Sequence, residues 1–203
     1  WLSWGMRPIA MFPLGSVLFP HMPLPLRVFE PRYLAMLADI LKDEPSEFGV
    51  VLIERGQEVG GGDVRVATGT LARVSDLDTA DEAVLMIAQG AARFEVREWL
   101  DDDPYPKALV QELPEPEWDP ALQPVLADAE ALVRRVLKRL ADEELSPWPA
   151  DVGLDEDPAA AAWQLAAIAP LNALDQVELL RSDSYERLLT RLVDLVTAVD
   201  ETY

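Results

Sequence analysis

Catalysis and metal binding need side chains that can carry protons, donate electron pairs or act as nucleophiles, and this chain is poor in them. Its 203 residues hold one histidine, His21, no cysteine, and three lysines, Lys42, Lys107 and Lys138. The lack of thiols excludes disulfides, thiol catalysis and cysteine metal sites. A Ser-His-Asp triad would have to use His21. That residue lies between Pro20 and Met22 in an apolar, proline-rich stretch, a setting that favours a structural role. Metal centres with nitrogen or sulfur ligands recruit several His or Cys. A carboxylate-only Mg²⁺ or Ca²⁺ site calls for spaced acidic ligands of the EF-hand kind, and that pattern is missing. GQEVGGGD, Gly56 to Asp63, has the glycines of a phosphate-binding loop. It continues into Asp63 rather than Lys-Ser/Thr, so it reads as a hairpin connection. No cofactor, no metal and no catalytic residue is expected.

Residue types suited to binding are easier to find. In the box Phe29 to Tyr33 (FEPRY), Pro31 suits the first position of a helix. It fixes the backbone between Glu30 and Arg32, so those two charges are held in place, set to meet each other or Arg93. Glu30 and Arg32 are read as structural. Tyr33 can pack its ring while its hydroxyl reaches a ligand. Arg93 is read with Phe94 as part of a strand, Phe94 pointing inward. Trp118, with Trp148 and Trp163, falls near joints and loops, where tryptophan packs or forms a binding surface. The candidate ligand contacts are therefore Glu30, Arg32, Tyr33, Arg93 and Trp118.

These residues sit on elements of two kinds. Met11 to Tyr33 carries five prolines, which forbid a helix and interrupt any central strand, leaving short extended pieces. Pro31 then opens a helix with Leu34, Leu37, Ile40 and Leu41 on one face, ending near Asp43-Glu44-Pro45. Strands are predicted at Phe48–Glu54, at Val64–Val74 with Gly69 as a bulge or close-approach point, and at Lys107–Leu113. Val84–Ala88 and Ala92–Arg97 are predicted as a hairpin turning at Gln89-Gly90-Ala91, with Leu85, Ile87, Phe94 and Val96 on one side. From Asp119 onward the pattern is helical. Asp119 caps a long helix starting at Pro120, with apolar residues at spacings of three and four from Leu122 to Leu140. Asp157-Pro158 opens a second helix. Asp175 with Glu178, and Asp183 with Glu186, read as capping boxes. The organisation is α+β: a β-rich lobe over residues 8–115 with one helix, then a helical lobe over 119–203. The proline-rich PEPEWDP forms a stiff joint, and both lobes are expected to form one unit. Residues 1–10 read as an upstream extension, with Met6 or Met11 as alternative starts.

The net charge is −20. Residues 1–100 hold nine basic and fourteen acidic residues, a net of −5; the remainder hold eight and twenty-three, a net of −15. DNA- and RNA-binding proteins use basic groups to neutralise phosphates, so neither nucleic acid nor an anionic membrane is an expected partner. No apolar run reaches membrane-spanning length. With no cysteine and no secretory signal, a cytoplasmic location is expected.

Several motifs, in order, resemble one family. Pro13, Leu14, Phe19, Pro20, Pro25 and Leu26 fit the opening pattern of the Lon protease N-terminal domain. FEPRY looks like the version found in its small stand-alone members, which lack the ATPase and protease domains. FGVVLIERGQEVG, TGTLARV, GAARFEV, PYPKALV and QVELLRSDSYERLLTRL extend the resemblance over residues 8–199. It implies a PUA-like pseudo-barrel packed on a helical bundle, and a part in recognising protein substrates. Lon proteases cleave with a Ser-Lys pair in a separate domain. No such motif and no nucleotide motif occurs in these 203 residues. The expected function is a non-catalytic peptide-binding module that holds unfolded or extended protein segments in a groove between the lobes, with a protease or chaperone as a further candidate partner. The alternatives are a small-molecule pocket in the barrel mouth, an RNA-binding module, and a carboxylate-based hydrolase.

Overall fold

The computed structural model describes residues 5–54, 64–146 and 148–203; the glycine-rich connection Gly56 to Asp63 lies outside them. The chain divides into two compact units, Trp1–Glu115 and Pro116–Tyr203. The first contains β1 (Met6–Leu14), β2 (Pro23–Val28), α1 (Pro31–Ile40), β3 (Glu47–Glu54), β4 (Val64–Ala80), β5 (Ala83–Leu100) and β6 (Lys107–Glu112). The second contains a 3-10 turn at Pro120–Leu122, then α2 (Gln123–Asp142), α3 (Pro158–Ile168), α4 (Ala173–Leu180) and α5 (Tyr185–Thr202). The class is α+β, as expected. No helix among the described residues is long and apolar enough to cross a membrane.

The six strands form one sheet in the order β2-β5-β4-β3-β1-β6, and β6 also pairs with β5, which closes the sheet on itself. Among the described residues only β1 and β3 run parallel, with Met11 opposite Gly49. Met6–Ala10, expected to be an extension, pair antiparallel with Lys107–Gln111 and belong to the sheet. Met11, Val51, Leu71, Phe94, Ala108 and Val110 fill the interior. At Gly69 a Cβ would stand 2.2 Å from the Val50 carbonyl, so the close-approach reading of that glycine holds.

The predicted hairpin at Gln89-Gly90-Ala91 does not exist. β5 is one strand of 18 residues, and its N-terminal part pairs with β2 and with the extended arm of β4. Gly90 serves a different purpose. The segment Phe19–Met22 crosses over it: the Gly90 N–H donates to the Met22 carbonyl (2.8 Å), and the His21 N–H donates to the Gly90 carbonyl (2.9 Å). A Cβ on Gly90 would lie 2.1 Å from the Phe19 carbonyl oxygen. His21 sits at this turn with φ of 66° and an exposed side chain. The Thr70 hydroxyl, fully buried, donates to the Leu18 carbonyl at 2.7 Å and ties down the same segment.

Because β5 does not turn, Leu85 and Ile87 share a face with each other but not with Phe94. They are 40% and 41% exposed, whereas Met86, Ala88 and Phe94 are buried. α1 begins at Pro31 as expected and ends at Ile40. Tyr105, on the segment before β6, donates its hydroxyl to Asp39 Oδ2 of α1 at 2.8 Å.

In the second unit, Asp119 caps the 3-10 turn by accepting from the Ala121 N–H (2.9 Å), and Asp157 caps α3. The two expected capping boxes are displaced. Asn172, not Asp175, caps α4 by accepting from the Asp175 N–H (2.8 Å). Ser184, not Asp183, caps α5 by accepting from the Arg187 N–H (3.1 Å). Asp183 instead forms an ion pair with Arg187 at 3.2 Å. α3 is apolar all round and central to its unit, as burial on every side requires. Its Trp163, expected near a loop, is fully buried and donates to the Tyr185 hydroxyl at 3.1 Å. On α2, Leu126, Ala129, Val133, Val136, Leu137 and Leu140 are buried while Val125 faces solvent.

Two outcomes follow from these contacts. Gly90→Ala forces a methyl against a backbone carbonyl that no rotamer change can move, so a loss of about 3 kcal/mol and roughly 6–12 °C in Tm is expected; an unchanged melting curve would show that the crossing is loose. The Tyr105–Asp39 bond sets a pH dependence at both ends. Burial, then the Asp39 hydrogen bond, pushes the Tyr105 phenol up to about 12. Below about pH 10, the ordinary value, the folded and unfolded chains both keep this proton and the contribution is fully present. As pH rises from there to about 12 the unfolded chain releases the proton first, so stability falls. The same bond, with Lys42 assisting, holds the Asp39 carboxyl below the ordinary carboxylate range. Its contribution is present above that range and is lost as pH falls through it. Urea midpoints measured across pH should show both losses, and Tyr105→Phe should flatten both.

Candidate functional site

Glu30 is the N-cap residue of α1, with extended backbone, but its side chain makes no capping bond. Its carboxylate accepts from Arg32 Nε at 3.0 Å instead, with both side chains close to half exposed (45% and 48%). The Arg32 guanidinium lies 4.7 Å from the centre of the Tyr33 ring. The Tyr33 ring stacks on Phe12 of β1, centroids 4.0 Å apart and planes 15° apart, and Phe12 tilts against Phe48 at 6.0 Å. Burial raises the Tyr33 phenol pKa, opposed by the charge of Arg32. Hydrogen bonding to Glu30 raises that of Arg32, so the guanidinium stays cationic. Asp102 acts on both groups through space, and Arg65 on Tyr33. Arg65 lies over the Trp99 ring at 4.3 Å and 3.8 Å from Asp102.

The other two candidates lie apart from this box in role. Arg93 is buried, 4% exposed, and its guanidinium donates to the Pro114 carbonyl at 3.3 Å while its own carbonyl accepts from the Leu113 N–H at 2.8 Å. It anchors the chain that leaves β6. Trp118 belongs to the helical unit, half-buried, its ring edge-on to Tyr185 at 5.5 Å. The FEPRY box brings Glu30, Arg32 and Tyr33 together on a stacked aromatic base. It offers a fixed cation and a fixed anion, paired with each other.

A surface that the sequence reading missed lies on the arm of the sheet formed by β2, the start of β5 and the end of β4. Pairing places Pro25, Ile87 and Asp76 in one row across the three strands, and Arg27, Leu85 and Asp78 in the next. These residues, with Leu26 and Met86, line a groove of about 480 Å³. On the opposite face of the arm, Leu77, Thr79 and Val84 meet Leu34, Leu37 and Leu41 of α1 around a second groove of about 410 Å³. The missed signal was Val84 to Ala88, apolar at every position. Such a run shows no polar face, and only continuity of the strand past Gly90 decides which side faces out. A third depression, about 610 Å³, lies on α4 and α5, and its walls are charged. There Arg191 pairs with Glu178 at 2.7 Å and Arg187 with Asp183. Among the described residues no group of three or more His, Cys, Asp or Glu is placed to hold a metal ion.

A closed six-stranded mixed sheet with one helix, followed by a unit of four α-helices, defines an α+β domain whose exposed apolar groove lies on an arm of the sheet. The chain belongs to the family of the ATP-dependent protease La (LON) substrate-binding domain, whose model matches residues 8–198. It is 33% identical over 138 residues to the Lon protease of Anaeromyxobacter dehalogenans (strain 2CP-C), covering 66% of this chain and 15% of that protein. It is 25% identical over 182 residues to the Lon protease of Rhizobium meliloti (strain 1021), covering 86% and 22%. The chain thus spans less than a quarter of the length of these curated relatives. The crystal structure of a Lon N-terminal domain protein from Xanthomonas campestris matches with a TM-score of 0.65 and 27% identity, over 93% of this chain and 98% of that one. The N-terminal domain of a Mycobacterium avium complex Lon protease matches at 0.64 over 94% and 98%; at 16% identity that likeness is one of fold.

The exposure of Glu30 and Arg32 limits what they contribute to stability. Arg32→Ala is expected to cost no more than about 1 kcal/mol, the range of an exposed ion pair with one cation–π contact. Tyr33→Ala, which removes the ring from the Phe12 stack, is expected to cost about 3–5 kcal/mol. Thermal melts of both variants check the contrast; a larger loss for Arg32→Ala would make the charge pair the anchor of α1.

Proposed function

We propose that this chain is a non-catalytic module that binds exposed apolar, extended segments of other proteins, and that it does so on the β2–β5–β4 arm. The observation that carries the reading is the pair Leu85 and Ile87, each about two-fifths exposed, side by side on a strand that buries its alternate residues. Large apolar side chains aligned at a groove are what an extended apolar segment needs for its own side chains. The substrate-binding description of the matching family supports the same reading, and so does a Lon N-terminal domain structure at 27% identity. The absence of thiols and the exposed turn position of His21 support a non-catalytic role. The partners are unfolded or extended protein segments, in a cytoplasmic setting consistent with the lack of cysteine. Glu30, Arg32 and Tyr33 are proposed as contacts at a second position, and Arg93 and Trp118 as supports.

The manner of binding follows from the edge strand. The Gly90–Met22 bond puts Leu24, Leu26 and Val28 in the hydrogen-bonded pairs with β5 and leaves Pro23, Pro25 and Arg27 directed to the free edge. Proline has no N–H, so of these three positions only Arg27 presents a donor. Addition of a further strand along β2 is disfavoured, and binding proceeds through side chains on the face instead.

Fluorescence anisotropy with a labelled apolar peptide tests this. Each of Leu85→Ser and Ile87→Ser should weaken binding by roughly three- to tenfold, the worth of covering the exposed two-fifths of one aliphatic side chain. Melting should fall by no more than a few degrees, since both side chains are about two-fifths exposed. Failure of the parent protein to bind apolar peptides or an unfolded protein at all would remove the proposal.

A further inference from the structure

The groove on the β2–β5–β4 arm is charged unequally on its two sides. The cross-strand rows Pro25–Ile87–Asp76 and Arg27–Leu85–Asp78 place an apolar spine, Ile87 and Leu85, in the middle. On one side stand the two carboxylates of β4. Asp76 and Asp78 are two residues apart on one strand, so their side chains project from the same face, about 6.5–7 Å from each other along it. Both are exposed. One oxygen of Asp78 accepts the Thr79 N–H at 2.8 Å, which orients the carboxylate. On the other side stand Pro25 and Arg27. The Arg27 guanidinium is drawn along its own strand to the Phe29 ring, 5.7 Å from its centre. A segment lying on the spine therefore meets carboxylates on the β4 side and an apolar ring with an already engaged cation on the β2 side.

We propose that the segments this groove takes carry lysine or arginine next to their apolar residues, and that Asp76 and Asp78 select them. This rests on the peptide-binding reading above and names the chemistry of its substrates. The spine supplies contact area without discrimination among apolar residues. The acidic rail supplies sign, favouring a basic flank and repelling an acidic one. A long basic side chain suits the geometry, because its methylenes lie on Leu85 or Ile87 while its charged end reaches the carboxylates. The chain's net charge of −20 adds a long-range attraction for the same segments. Removing two carboxylates changes that general field by about a tenth, but empties the rail.

Three labelled peptides with one apolar core and lysine, serine or glutamate flanks separate these effects. At about 50 mM salt the lysine peptide is expected to bind about tenfold or more tightly than the glutamate peptide, and at about 500 mM the gap is expected to shrink to roughly twofold as screening shortens the range. The double variant Asp76→Asn/Asp78→Asn should cut the low-salt gap to about threefold or less, with the serine peptide's affinity and the melting temperature unchanged. A gap that survives in this variant assigns the preference to overall charge and overturns the proposal. Equal binding of all three peptides overturns it too, while leaving the peptide-binding reading intact, provided Ile87→Ser still weakens them. If none of the three binds, the peptide-binding reading itself fails. Sedimentation velocity covers the remaining occupant: a dimer that Ile87→Ser dissociates would mean that a second copy fills the groove, which also overturns the proposal.

Discussion

The Phe19–Met22 turn lies on Gly90 with a carbonyl oxygen where any other residue would place its side chain. That contact fixes more than one position. It lets β5 run straight through 18 residues instead of folding back, so that one strand serves both the closed sheet and the arm beyond it. It also sets the register of β2, because the Gly90–Met22 hydrogen bond starts the ladder that β2 continues. Register in turn decides which residues of β2 face the open edge, and two of them are prolines. The blunted edge of β2 descends from how the chain crosses one glycine, while the pairing of β4 with β5 sets Asp76 and Asp78 beside Ile87 and Leu85.

The helices were largely legible in the sequence. Spacings of three and four along α2, and Pro31, Pro120 and Pro158 at helix or 3-10 starts, are local signals read by local rules. The caps of α4 and α5 were misplaced because Asp175/Glu178 and Asp183/Glu186 fit the capping-box spacing, yet Asn172 and Ser184 offer the first N–H groups an equally short polar acceptor closer to the incoming chain. The false hairpin has a non-local cause. Gln-Gly-Ala between two apolar runs matches a turn, and only the presence of Phe19, some seventy residues earlier, explains why glycine is needed there. The exposed spine was lost with it, since a turn at Gly90 would reverse which residues of Val84–Ala88 point inward. Of the five candidate contacts, Glu30, Arg32 and Tyr33 were grouped by sequence adjacency alone. The stack of Tyr33 on Phe12 and the anchoring of Arg93 at Pro114 depend on strand pairing that the sequence does not display.

Charge is used differently in the two units. In the helical unit three arginines of α2 are matched to acids on its helices. Arg134 pairs with Glu130 at 2.9 Å, and Arg135 and Arg139 with Asp200 at 3.0 and 2.7 Å. Asp200 is held below the ordinary carboxylate range, chiefly by the hydrogen bond from Arg135. The two pairs to Asp200 join the end of α5 to α2, while the Arg134–Glu130 pair spans one turn within α2. On the arm of the sheet the pattern is reversed: Asp76 and Asp78 border an exposed apolar groove, where a partner can approach them.

A site that adds a strand reads backbone, which every extended chain presents alike. The prolines of β2 remove most of that option, so in the proposed function affinity on this arm would come from side chains and would depend on what the bound segment is made of. Covering the exposed two-fifths of Leu85 and of Ile87 is worth about 1 kcal/mol each, and the cost of ordering a flexible segment offsets part of that gain. Binding of this kind is weak and reversible for a single segment. It becomes selective only through a further term of definite sign. In the proposed function the carboxylates of β4 would supply such a term at the border of the apolar spine, where partial desolvation by a bound segment would strengthen it.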